Sequence, residues 1–429
     1  MLEKLFQLSR FGTNPKTEIV AGITTFLTMA YIIFVNPAML ADAGMDQGAV
    51  FVATCVAAAI GCFIMGFWAN LPVALAPGMG LNAFFTYGVV LGMGHTWQTA
   101  LGAVCLSGVI FFALSLFKVR EWIINAIPDT LKKAIAAGIG SFLALIALKS
   151  SGIIVAHPAT LVSLGDLTSF GPAMALLGLF IVIGLVQRNV TGGVMLSILI
   201  ITAIAVLSGN VEYSGIVSAP PSMAPTFMQM DIAAAFDIAL LSVIFAFLFV
   251  DLFDTSGTLI AVAQRAGLQT SDGKVPRLKQ ALMADSTASV TGAMLGTSST
   301  TSYIESAAGV AAGGRTGMTA VVVGILFLLA IFFAPLAGMI PPYATAGAIL
   351  YVSVLMMYTL KDVHWDDLTE AAPVVVVLLL TPLTFSIAHG ITLGFITYAA
   401  AKLVGGKRKE VPMSVWIVAA LLLLKVIFV

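Results

Sequence analysis

The chain has 429 residues, 60% of them hydrophobic and only 9% charged, with 20 basic and 20 acidic side chains. A soluble domain carries about 25% charged residues, so this composition excludes one and implies a polytopic membrane protein. The zero net charge argues for no particular partner, and Cys55, Cys62 and Cys105 sit in apolar runs without metal-ligand spacing, which excludes a disulfide framework and a zinc site.

Met1 to Lys16 mixes charges with a few apolar residues and has no cleavable apolar core, so no signal peptide is expected. With about 20 apolar residues per span, fourteen segments are expected at roughly 19–37, 50–69, 71–91, 97–117, 134–148, 171–187, 191–208, 236–262, 280–295, 296–314, 316–338, 343–360, 371–387 and 389–404. A last apolar run, 413–429, reads as a further span or an interfacial helix.

Segment one is polar for a membrane helix, with Thr24, Thr25, Thr28, Tyr31 and Asn36-Pro37. In segment three, Pro77, Gly78 and Gly80 break the helix, and a short one can begin near Asn82. Segment eight carries Asp251 and Asp254, three apart and so on one helix face, followed by Thr255, Ser256 and Thr258. Asp285 opens segment nine, as an N-cap or as a functional acid. Segment ten runs Gly296-Thr297-Ser298-Ser299-Thr300-Thr301-Ser302-Tyr303-Ile304-Glu305, then small residues from Ala307 to Gly314 interrupted by Val310. An acid in hydrocarbon is costly, and irregular backbone at membrane depth survives only where protein or a water-filled cavity satisfies it. This stretch therefore reads as a short helix whose N-terminal end faces a midplane cavity; the alternative is a hydroxyl-rich helix contact. Asp366, Asp367 and Glu370 read as the solvated start of segment thirteen. His95, His157, His364 and His389 fall near loop ends with no metal-ligand partners.

Charge sets the expected topology. With the N-terminus inside, the inner loops hold Lys118, Arg120, Lys132 and Lys133, then Arg188, then Arg265, Lys274, Arg277 and Lys279. Arg315, Lys361 and Lys407-Arg408-Lys409 complete them, whereas Gly209 to Ala235 has no basic residue. That is a positive-inside pattern with both flanks cytoplasmic. The two interrupted segments start about 220 residues apart, and the polar segments one and eight show nearly the same offset. Seven segments per half is odd, so the expected fold is all-α, fourteen segments in a 7+7 inverted repeat. Broken helices at matching positions point to a midplane site.

No Gly-x-x-x-x-Gly-Lys-Ser/Thr loop is present, which excludes ATP-driven transport by this chain alone. No Ser/His/Asp or metal arrangement suggests an enzyme.

Several motifs resemble those of the azaguanine-type purine permeases, a branch of the nucleobase–cation symporters that includes bacterial guanine/hypoxanthine and adenine permeases. They are Met29-Ala30-Tyr31-Ile32-Ile33-Phe34-Val35-Asn36-Pro37, Ala76-Pro77-Gly78-Met79-Gly80-Leu81-Asn82-Ala83-Phe84-Phe85, Phe253-Asp254-Thr255-Ser256-Gly257-Thr258 and the run Thr301 to Gly317. The resemblance extends from Phe11 to the C-terminus. It implies the uracil-permease fold, with a short strand plus half-helix in segments three and ten. It also implies a core domain (1–133 and 236–340) and a gate domain (134–235 and 341–429). Asp254, Glu305, Gly80 and Asn82 match the family's substrate-contacting positions, and Thr301 and Ser302 join them as candidates. Uracil permease has a histidine four residues after its segment-eight acid; this chain has Thr258, so a relay through histidine is not carried over. The implied partners are a purine nucleobase, the bilayer and a second copy through the gate domain, with no nucleic acid. A proton is the coupling ion and no cofactor is implied.

The expected function is proton-coupled purine uptake across the cytoplasmic membrane. Asp254 is expected to cycle between protonated and ionised forms, with Glu305 the second candidate, because burial disfavours a charged acid. An ionised Glu305 can accept guanine N1–H and its 2-amino group together, whereas adenine presents one donor beside an acceptor. Guanine and hypoxanthine are therefore expected ahead of adenine, and a protonated Glu305 reverses the order. The alternative is an anion transporter of the same fold, of sulfate or bicarbonate type, for which two acids are the wrong sign. A channel is the third class, and uphill saturable uptake excludes it.

Overall fold

A computed structural model describes residues 2–116, 127–237, 240–270 and 275–428. Lys118, Arg120 and Lys274, three of the basic residues expected in inner loops, lie outside the described residues. Among the described residues nine helices are long and apolar enough to cross a membrane, from Pro15–Asp42 to Ile387–Val404. Shorter apolar helices cover Met79–Val90, Gly193–Leu207, Leu368–Leu383 and Met413–Leu424.

Helix starts follow local chemistry. Asn14 accepts from the Thr17 N–H at 3.0 Å and Pro15 occupies the first turn, which starts Pro15–Met29. Asp46 accepts from Ala49 at 2.7 Å to start Gln47–Ile64. The first segment is not continuous: Pro15–Met29 gives way at Ala30 to Ile32–Asp42, which contains Pro37.

Four short strands occur among the described residues: β1 (Leu75–Pro77), β2 (Ile154–His157), β3 (Leu161–Leu164) and β4 (Thr300–Ser302). β1 and β4, distant in sequence, pair antiparallel with Leu75 opposite Ser302, Ala76 opposite Thr301 and Pro77 opposite Thr300. Beyond the strands, Gly78 N–H donates to Ser299 at 3.0 Å and Tyr303 N–H to Ala74 at 3.0 Å. The irregular backbone of segments three and ten thus satisfies itself inside the protein. A short helix follows each strand, Met79–Ala83 after β1 and Ser306–Ala311 after β4. Gly296 makes the entry to β4 possible: its φ of 96° ends Leu278–Leu295 in the left-handed region that glycine tolerates.

The all-α expectation needs one further correction, at the hairpin of β2 and β3 between segments five and six. Its β-branched Ile154, Val155 and Val162 favour extended backbone, and the Thr160 hydroxyl ties the turn to His157 Nδ1 at 3.0 Å.

Two charge networks tie segments together. Glu18, fully buried on the first segment, accepts from the N–H groups of Arg315 (2.9 Å), Thr316 (3.3 Å) and Thr319 (3.2 Å). The Thr319 hydroxyl adds a bond at 2.6 Å. Its negative charge therefore caps the positive end of Gly317–Ala330 from another helix. Arg315 works at the opposite polarity, its guanidinium donating to the carbonyls of Val310 and Gly314, each at 2.7 Å.

In the second network Asp367 and Glu370 stand at the start of Leu368–Leu383, as expected, but are ion-paired and only partly exposed. Lys402, 1% exposed, bridges Glu370 at 2.5 Å and Glu410 at 2.8 Å, and Asp367 pairs with Lys407 at 2.6 Å. Lys407 and the Thr369 hydroxyl hold the Asp367 carboxyl well below the usual carboxylate range. Asp366 is exposed, as expected.

Candidate substrate site

The strand crossing, the break in segment one and the middle of Leu241–Arg265 meet around a cavity of about 480 Å³. Its lining includes Tyr31, Gly80, Asp254, Thr301, Ser302 and Glu305. Such a volume is in the range that takes a small organic ligand. Segments far apart in the chain thus bring five of the six expected site residues to one wall.

Glu305 stands at the N-terminal end of Ser306–Ala311 and is partly exposed to the cavity. The Tyr31 hydroxyl, next to the break in segment one, donates to Glu305 Oε1 at 2.7 Å. The bond takes one lone-pair site on Oε1 and leaves the other sites of the carboxyl group for a ligand. Asp254 is exposed in the same cavity, on the turn before Thr258. Gly80 borders the cavity and packs against segment five, where a Cβ would sit 2.5 Å from Ile139 Cγ2. A larger side chain would fit there only if Ile139 shifted.

Thr301 and Ser302 line the cavity through β4, but their hydroxyls are partly engaged behind it. The Thr301 hydroxyl lies 2.8 Å from that of Thr255, and the Ser302 hydroxyl donates to Asp285 Oδ1 at 3.3 Å. Asn82 does not reach the cavity. It is fully buried and its Oδ1 accepts from the Ser298 hydroxyl. Positions 80 and 82 are about 200° apart on a helix, so when Gly80 faces the cavity Asn82 faces away.

The remaining acids sort themselves by depth. Asp251 is buried among Ser289 and Ser299, and Asp285 among Thr255 and Ser302; neither lines the cavity. Tyr303 is also in the wall, its hydroxyl donating to the Pro77 carbonyl at 2.6 Å and so fastening the strand crossing. Among the described lining residues the basic side chain is Lys132, and it is paired with Asp129 at 3.0 Å. Two features stand out that sequence reasoning did not place at the site. Tyr31 was legible only as one polar residue of segment one, and Ser256 only as one hydroxyl of segment eight; Ser256 Oγ is buried in the wall without a partner among the described residues.

The permease family matches residues 16–424 of this chain. The adenine permease AdeP of Escherichia coli (strain K12) is 52% identical over 429 residues, covering 100% of this chain and 96% of its own. The guanine/hypoxanthine permease PbuG of Bacillus subtilis (strain 168) is 46% identical, covering 96% of each chain. Among solved structures, the transmembrane domain of a cyanobacterium bicarbonate transporter, BicA, aligns with a TM-score of 0.67 at 15% identity, over 86% of this chain and 96% of that one. At that identity the likeness is one of fold alone. With a family match along nearly its whole length and relatives at about half identity, the chain belongs to the permease family, on the purine permease branch, and is a transporter rather than an enzyme.

Proposed function

We propose that this chain carries purine nucleobases across the cytoplasmic membrane by proton-coupled secondary transport, with adenine ahead of guanine and hypoxanthine. The observation that carries the proposal is the cavity wall, where Asp254 and Tyr31-bound Glu305 stand among uncharged hydroxyls. Acceptors beside hydroxyls suit a neutral heterocycle with N–H donors. They are the wrong sign for an anion, which weighs against the sulfate or bicarbonate alternative that the shared fold raises.

The order of purines follows from Tyr31. Its bond takes one lone-pair site on Oε1, so the two-point grip on guanine expected from sequence has to share that oxygen with the hydroxyl. Adenine asks for less. Its 6-amino group needs a single accepting site on Glu305. An unmet buried donor or acceptor costs about 1–3 kcal/mol, enough for tenfold discrimination. The adenine permease relative at 52% identity supports the same order. Competition of labelled adenine uptake by unlabelled adenine, guanine and hypoxanthine is the test. If guanine or hypoxanthine competes tenfold better than adenine, the two-oxygen order expected from sequence holds instead.

Movement is proposed to follow the inverted repeat of fourteen segments. Segments one to four and eight to eleven form a core that carries the site against the gate, 134–235 and 341–429. Asp254 takes and releases the coupling proton at the substrate, which gains about 1.4 kcal/mol per pH unit across the membrane.

A further inference from the structure

Behind the cavity wall lie two acids that contact no substrate in this account. Asp251 is 2% exposed and Asp285 is fully buried. On Asp251 the served oxygen is Oδ2, which accepts from Ser299 at 2.8 Å and Ser289 at 3.2 Å. On Asp285 it is Oδ1, which accepts from Thr255 at 2.9 Å and Ser302 at 3.3 Å. The other two oxygens, Oδ1 of Asp251 and Oδ2 of Asp285, meet no donor. Thr255, one turn along from Asp251, bonds Asp285, and Ser289, one turn along from Asp285, bonds Asp251, so the two acids stand on facing turns of neighbouring helices.

Two ionised carboxylates on facing turns away from water are opposed by both repulsion and desolvation. Something positive must join them. Among the described residues no lysine, arginine or histidine pairs with either acid. No group of three ligating side chains among the described residues could hold a metal ion. The charged groups that face the pair are themselves acids, Asp254 on the same helix and Glu305 across the cavity. Tyr303 beside them is tied to Pro77. A carboxyl and a carboxylate sharing one proton fits every one of these facts, as in other buried carboxylate dyads.

A line of hydroxyls connects the pair to the cavity. Thr255, bonded to Asp285, lies 2.8 Å from the Thr301 hydroxyl, and Thr301 shares the cavity wall with Asp254. We propose that Asp251 and Asp285 hold one shared proton, the coupling proton of transport, and exchange it with Asp254 through the hydroxyls of Thr255 and Thr301. The step breaks one O–H bond at the pair and forms one at Asp254. Each intervening hydroxyl gains one proton and loses one, so a single positive charge moves and nothing is oxidised or reduced. The proposal rests on the proton-coupled transport proposed above and adds a proton seat that the substrate does not touch.

Asp285→Asn is the test variant. Its amide can still donate to Asp251 and accept from Thr255, so the buried packing is kept while the exchangeable acid is lost. Binding of labelled adenine to purified protein is measured across pH for wild type, Asp285→Asn and Asp254→Asn. One coupled proton makes wild-type affinity strongest on the acid side and lowers it by up to about tenfold per pH unit as the pair deprotonates. Asp285→Asn is expected to bind within about threefold of the best wild-type affinity and to show a flat pH profile. Asp254→Asn, altered at the substrate, is expected to bind more weakly at every pH. Infrared spectra supply a readout independent of purine: wild type should show the carbonyl stretch of a protonated, buried carboxyl at neutral pH, and Asp285→Asn should lack it. A wild-type pH profile in Asp285→Asn, or an infrared band unchanged by the substitution, overturns the proposal. So does wild-type binding that follows sodium concentration at fixed pH. If wild type binds no purine at any pH, the substrate assignment fails, while the infrared band still decides whether the pair is protonated.

Discussion

Tyr31→Phe probes the site at its most informative bond. The substitution removes one hydroxyl, and with it the 2.7 Å bond to Glu305 Oε1. A hydrogen bond to a charged group contributes about 1.5–3 kcal/mol. Without the competing hydroxyl, Oε1 can turn fully to the second of guanine's adjacent donors, a contact of similar worth, whereas adenine has no second donor on that edge. At about 1.4 kcal/mol per tenfold, the preference should move toward guanine by roughly tenfold to a hundredfold. The assay is labelled adenine uptake competed by graded unlabelled guanine, in wild type and variant at matched expression. A variant that still transports but shifts the guanine-to-adenine ratio by less than about threefold would refute the role given to Tyr31.

Three other outcomes are expected. Asp254→Asn should abolish uphill accumulation and weaken binding while leaving some exchange; full accumulation by this variant, measured in energised vesicles, contradicts proton exchange at Asp254. Glu18→Ala strips the cap from four donors and should lower stability by roughly 2–4 kcal/mol, read as a drop of several degrees in thermal unfolding of the purified protein. An unchanged transition would show that Glu18 does not hold the first segment to Gly317–Ala330. Because the three native cysteines are buried, Ser222→Cys should label with an impermeant reagent from outside and Arg188→Cys only from inside; the reverse pattern removes the positive-inside topology.

Much of this molecule could be read from its residues, and the failures share one cause. Asp254 and Glu305 were legible because a lone acid in an apolar run has few structural uses. The break and short helix of segment three were legible from Pro77, Gly78 and Gly80, whose backbone preferences are local, whereas the strands came only from the family resemblance. What depends on helical phase or on distant partners was not. Asn82 lies two residues from Gly80 and faces the other way. The Ser302 hydroxyl is drawn back by Asp285, a residue of another segment. Glu18 drew no reading from sequence, because its use as a cap depends on Thr319 arriving from the other half of the chain. The β2–β3 hairpin escaped because strands this short show little periodicity. Asp285 was left between an N-cap and a functional acid; it lies about two turns inside Leu278–Leu295, which begins after Arg277, so the N-cap reading is wrong.

The measurement that bears most directly on the central claim is labelled adenine uptake by cells lacking their own purine transporters, with and without this chain and with and without an uncoupler. Saturable accumulation against a gradient, competed by unlabelled purines and collapsed by the uncoupler, is the predicted result. Absence of purine uptake by cells in which the chain is correctly inserted, or accumulation that survives the uncoupler and follows a sodium gradient, would contradict proton-coupled purine transport.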